Sequence, residues 1–150
     1  MTRLADELEA RFEQLRREAS SADVAFDRSI PENELVVWIR PTTPSSKKAE
    51  LDVAVCGEDT VVLTLGCFGL VELVANDPAA LADEVHDFAI AVVAGRVEEV
   101  LITVAGRPVS SALHVTFRDG VRSYHHTLLR LGRRLERVID YVPYTLNCQD

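Results

Sequence analysis

Asp83, His86 and Asp87 stand at three- and four-residue steps, the spacing that brings side chains onto one face of a helix. Two carboxylates beside an imidazole can bind a metal, or the acids can tune the protonation of the ring. The competing reading is a solvated helix face, because three exposed ligands lack the enclosing shell of a tight metal site. The expectation is therefore no metal and no other cofactor. A second group surrounds His125-His126: Arg118, Arg122, Arg130, Arg133, Arg134 and Arg137, against only Asp119 and Glu136. Guanidinium groups make forked contacts with phosphate and carboxylate, so this segment is a candidate grip for an anionic ligand. Read as a helix, it sets the adjacent histidines about 100° apart, a poor chelate. Its arginines would then complement the helix C-terminal dipole instead.

Other chemistry-bearing residues lack context. Gly66-Cys67-Phe68-Gly69 follows a strand but has neither the Lys-Ser/Thr pair nor the following helix of a phosphate loop, so it reads as a bulge or tight turn. No histidine stands in an activating motif for Cys67, which is expected to be a small buried thiol. Ser45-Ser46 and Ser110-Ser111 lie in loops outside any nucleophile signature. Trp38, inside a strand, is expected in the core. No catalytic residue is assigned, and the balance leans away from an enzyme. Cys56, Cys67 and Cys148 include no C-x-x-C pair, so three free thiols in a reducing cytosol are expected.

Composition narrows the classes further. The 150 residues are 47% hydrophobic and 27% charged, an ordinary globular mix. A net charge of −8 argues against a general nucleic-acid binder, and 6% aromatics argue against a base-stacking surface. It suits a soluble protein or one with a basic partner. The N-terminus is charged throughout and no apolar run reaches the ~18 residues of a membrane helix, so the expected location is cytoplasmic, without a membrane partner. Heavy Arg, Ala and Val usage points to a bacterial source.

These residues must be positioned by local elements. Leu4, Leu8, Phe12, Leu15 and Ala19 predict an amphipathic helix over 2–20, with Asp6, Glu9, Glu13, Arg16 and Arg17 on its other face, closed by Ser20-Ser21 and Asp23. Strands are predicted at 24–28, 35–40, 50–56, 60–65 and 70–74, with a turn at Pro31-Glu32-Asn33-Glu34. Asn76-Asp77-Pro78 opens a central helix whose Leu81, Val85, Phe88 and Val92 face inward, and Gly95 stops it. A hairpin joins 97–105 to 112–118. Val121, Tyr124, Leu128, Leu131, Leu135, Val138 and Val142 recur at three and four and predict a C-terminal helix, although 137–141 also reads as a last strand. The sum is one α+β domain over 1–150: two layers, an antiparallel sheet of about five to seven strands, and N-terminal, central and C-terminal helices on one face.

The stretch from Thr60 to Val115 combines Thr60-Val61-Val62-Leu63-Thr64-Leu65-Gly66, Glu72, an amphipathic helix, Gly95-Arg96-Val97-Glu98-Glu99-Val100 and a strand pair through Arg107 and Leu113. It resembles small uncharacterised bacterial α+β proteins, some of them similar to immunity proteins of polymorphic toxin systems. The resemblance covers about a third of the chain, and Cys67-Phe68 stands where comparable segments often carry a histidine and an aromatic. It implies a non-enzymatic binding role. The expectation is a cytosolic interaction module that binds a protein partner through acidic helix faces, with Glu9, Glu13, Asp83 and Asp87 as contacts. The alternative is an anionic-ligand binder or enzyme using a sheet–helix pocket near Arg118, Arg122, His125 and Arg130, with His86 as a further candidate.

Overall fold

Thr2 accepts the Ala5 N–H through its hydroxyl and so caps the first helix, α1 (Arg3–Glu18), which buries Leu4, Leu8, Phe12 and Leu15. The computed structural model describes residues 2–19, 23–30, 34–128 and 130–144. The expected turns at Ser20-Ser21 and Pro31-Glu32-Asn33, and Cys148, lie outside the described residues. Five strands follow as an antiparallel meander: β1 (Val24–Ser29), β2 (Val36–Pro41), β3 (Leu51–Cys56), β4 (Thr60–Leu65) and β5 (Gly69–Val74). Asp77 caps α2 (Pro78–Val93) by accepting the Ala79 N–H, with proline at the first helical position. Then come β6 (Val97–Val104), β7 (Arg107–Phe117), β8 (Gly120–Thr127) and β9 (Arg134–Asp140), in a second antiparallel sheet ordered β8-β7-β6-β9.

Period-two alternation decides what each strand buries. Leu51, Val53 and Val55 of β3 face Val61, Leu63 and Leu65 of β4 on one buried side, and Leu113, Val115 and Phe117 do the same on β7. These side chains join those of α1 and α2 in one cluster, while the alternate positions are open to solvent. The helix α2 buries Leu81, Val85, Phe88 and Val92 as its spacing predicts; the Phe88 ring meets Phe117 edge-on at 4.9 Å and Tyr124 at 5.2 Å. The first sheet's β5 edge lies beside β8. No helix among the described residues is long and apolar enough to cross a membrane.

The α+β class holds, but the layout differs from the expectation. Among the described residues the strands form two sheets of five and four rather than one, and there are two helices, not three. Over the described residues of 121–142 no helix forms. The segment is instead β8, paired along its length with β7 from Phe117↔Gly120 to Ser110↔Thr127, and β9, paired with β6 from Glu98↔Asp140 to Val104↔Arg134. Non-local pairing overrides the helical spacing, and Gly132, at φ +140°, sits where a helix would need a right-handed residue. Trp38 is also not core: it is half-buried on the open side of β2, with the Arg40 guanidinium 5.4 Å from its ring centre.

Candidate functional site

The acidic residues of the helices are largely spoken for within the chain. Glu9 pairs with Arg28 of β1, and Glu13 lies 3.7 Å from Arg16. Both line a cleft of about 160 Å³ between α1 and β1, floored by Phe12 and Phe26. Asp83 accepts a hydrogen bond from Arg11 Nε at 2.8 Å, tying α2 to α1 and raising the Arg11 pKa. His86 is not on a solvated face. It is half-buried, and its enclosed Nε2 meets no hydrogen-bond partner among the described residues. Asp87 is exposed and belongs to a different cleft, beside Arg118. Among the described residues no three His, Cys, Asp or Glu side chains converge as metal ligands, Asp83, His86 and Asp87 included.

The arginine- and histidine-rich segment is dispersed by being strand rather than helix, since successive strand side chains point to opposite faces. His125 is exposed on the open face opposite Ala112, whereas His126 turns inward, its ring 4.9 Å from that of Phe68. Arg122 works as a brace. It bonds Asp119 at 3.1 Å, reaches Glu84 of α2 at 3.5 Å and lies over the Phe117 ring at 4.7 Å. Arg130 is exposed in the β8–β9 connection, and Arg133, Arg134 and Arg137 are exposed beyond it. Arg118 alone of the segment lines a cleft together with a helix-side candidate, Asp87; the cleft, of about 370 Å³, lies between α2 and the end of β7.

Three features escaped the sequence reading. The first is Glu99, fully buried on the inward side of β6. Its carboxylate accepts the Cys67 and Phe68 N–H groups at 2.8 and 2.9 Å, the Ser111 hydroxyl at 2.8 Å and the Tyr141 hydroxyl at 2.6 Å. The turn from β4 to β5 is thereby pinned onto the second sheet. Gly66 opens that turn at φ +71°, and a Cβ there would stand 2.5 Å from Glu99 Oε2, so only glycine allows the carboxylate so close. Burial first, and then the Glu99 hydrogen bond, push the Tyr141 pKa up. The signal was present in Val97-Glu98-Glu99-Val100-Leu101, where strict alternation sends Glu99 inward with Val97 and Leu101.

The second feature is Cys67 itself, expected buried but exposed, with Cys56 likewise exposed and both thiols free. Cys67 Sγ lies 3.5 Å from the Tyr141 hydroxyl, at the edge of a cleft of about 130 Å³ that Lys48 and Glu50 also line. The third is a concentration of exposed apolar side chains: Val121, Leu128, Leu131, Leu135, Val138 and Val142 all fall in the last strands and their connections, Leu131 at 92% exposure. Strand β9 is an edge strand, exposed on both of its faces except at Ile139. Comparison with protein-family models, with curated proteins and with solved structures gives no match, so function is read from these side chains alone.

Proposed function

We propose that the chain is a non-catalytic protein-interaction module that docks its partner along β9 and the β8–β9 connection. The observation that carries this reading is the exposure of apolar side chains around an edge strand that, among the described residues, only β6 pairs: Leu135 and Val138 on its two faces, and Leu128 and Leu131 in the connection before it. A single exposed leucine is ordinary, but an apolar group on an unpaired sheet edge is the pattern of a surface that another chain covers. Arg130, Arg133, Arg134 and Arg137 rim that group, and arginine beside apolar anchors is what energetic hot spots use. A partner fitted to this edge presents apolar side chains and carboxylates, rather than the basic face that the net charge of −8 suggests by itself. The acids first considered as contacts, Glu9, Glu13 and Asp83, have arginine partners within the chain, which favours the other surface. An inhibitor- or immunity-like role is one form of this function, and the same reading takes the protein as cytosolic.

The test is retention of a partner from a lysate of the source organism. The wild-type chain is compared with a Leu135→Asp/Val138→Asp double variant and with charge reversal at Glu9, Glu13, Asp83 and Asp87. We expect one protein to be retained in near-stoichiometric amount, lost on the β9 double variant and kept by the acidic-face variant. Thermal melts must show that the β9 variant remains folded. Equal retention by the β9 variant overturns the reading.

A further inference from the structure

The cleft between the C-terminal half of α2 and the end of β7 is built differently from the docking edge and carries a separate assignment. Its volume is about 370 Å³, and its apolar wall is Ile90, Ala91 and Phe117. Its polar rim is Arg96, Thr116, Arg118 and, on the helix side, Asp87. Strand register explains the rim. Val97 pairs with Val115, and the Thr116 N–H donates to the Arg96 carbonyl at 3.0 Å, so Arg96 stands opposite Thr116. Arg118, two residues on, is the first residue of the turn that follows β7 and lines the same cleft. Two arginines and one hydroxyl thus line one cleft. Like charges held close together repel. Arg11, Arg16, Arg28, Arg40 and Arg122 each meet a carboxylate, whereas Arg96 and Arg118 meet none within ion-pair distance among the described residues. An oxyanion seated between them relieves the repulsion and can accept from both forks and from the Thr116 hydroxyl.

We propose that this cleft binds a small amphipathic anion, with a carboxylate or phosphate head on Arg96 and Arg118 and an apolar body against Ile90, Ala91 and Phe117. Asp87 lines the cleft from the helix side. Its carboxylate repels a second negative charge and accepts from a hydroxyl, amide or ammonium, which makes a ligand with a single anionic end the best fit. Glu98 and Asp140, which face each other two positions from Arg96 across β6 and β9, border the site with negative charge and confine the anion to the arginine end.

Titration followed by two-dimensional NMR, with phenyl phosphate, phenylacetate, inorganic phosphate and benzyl alcohol as probes at constant ionic strength, tests this directly. Saturable shifts confined to 87–97 and 115–119 are expected with phenyl phosphate or phenylacetate, and the tighter of the two identifies the head group. Inorganic phosphate should bind at least tenfold more weakly, and benzyl alcohol not at all. Arg96→Gln and Arg118→Gln should each weaken binding about tenfold or more, the loss of one charge-assisted contact. Ile90 is itself exposed, so Ile90→Glu, which removes part of the apolar wall and adds a negative charge, should abolish binding in a folded protein. The bland alternative is that both arginines merely complement the C-terminal dipole of α2. In that case the glutamine variants lower the melting temperature while no probe saturates, and the proposal falls. Binding that is unchanged in Ile90→Glu, or equally tight for inorganic phosphate and phenyl phosphate, overturns its apolar half.

Discussion

Burial of the Glu99 carboxylate is tolerable only because four donors replace the water it gives up. Two come from the Cys67 and Phe68 backbone, one from Ser111 and one from Tyr141. The asymmetry of hydrogen-bond energetics then sets the cost of altering it. Glu99→Gln turns one acceptor oxygen into a donor that faces donors, and should cost about 1–3 kcal/mol of unfolding free energy in urea melts. Tyr141→Phe keeps the packing but leaves Oε2 one donor short, for about 1.5–3 kcal/mol. The same tyrosine predicts a pH dependence. Burial and the neighbouring carboxylate hold its folded pKa above the ordinary value of 10, so its contribution is fully present below about pH 10. Above that pH the unfolded chain ionises first, and stability falls by up to about 1.4 kcal/mol per pH unit until the folded hydroxyl ionises as well. Unfolding free energy measured between about pH 9.5 and 11 should therefore decline more steeply in wild type than in Tyr141→Phe. Parallel curves would show that Tyr141 titrates alike in both states.

Among the elements, α2 is the piece packed against both α1 and the second sheet. Phe88 is fully buried between Phe117 and Tyr124 of the second sheet, and Phe88→Ala should cost about 3–5 kcal/mol in a denaturant melt. A loss under about 1 kcal/mol would mean that the cavity collapses or that the face is not core. That helix was legible because Asp77 and Pro78 mark its start, and because Leu81, Val85, Phe88 and Val92 keep one period without interruption. The strands of the meander were legible for a similar reason: short turns, as at Gly57, separate runs of valine and leucine. The stretch from 121 to 142 was legible only in its alternative reading, a last strand at 137–141, which overlaps β9. Val121, Leu128, Leu131, Leu135 and Val138 repeat as a helical stripe, yet all five are exposed, so the apolar spacing records a surface rather than a core. Periodicity assumes that apolar residues face inward, and it fails where they face a partner. The candidate site was legible in kind but not in place. Asp87 and Arg118 were each singled out, but only the return of β7 alongside α2 brings them to one cleft, and Arg96 joins them through a register that no local pattern shows.

At the scale of the whole molecule, the connections between the two sheets include β5 beside β8 and the Cys67–Phe68 turn held by Glu99 of β6, while α2 packs against β7. Strands inside this frame have neighbours on both edges and a buried face. Strand β9 has neither advantage. Among the described residues it pairs with β6 alone, and its side chains from Arg134 to Val138 are exposed on both faces. Local opening free energy follows the number of apolar contacts an element must break, so the least stable part of the molecule should be the part assigned to docking. In native-state hydrogen exchange, amides of β9 should exchange at least about tenfold faster than those of β3 and β4, a difference of about 1.4 kcal/mol in opening free energy. Strand β1, an edge strand of the first sheet, is the control. Val24 is buried and Phe26 packs against the core, so β1 should be slower than β9 although each is paired on one side in its sheet. If β9 exchanges as slowly as β3 and β4, the strand is held by interactions beyond its single ladder, and an edge already satisfied in this way has no need of a partner. If it exchanges fast alone and becomes protected on addition of a retained partner, while β1 is unchanged, the partner has completed the sheet at β9.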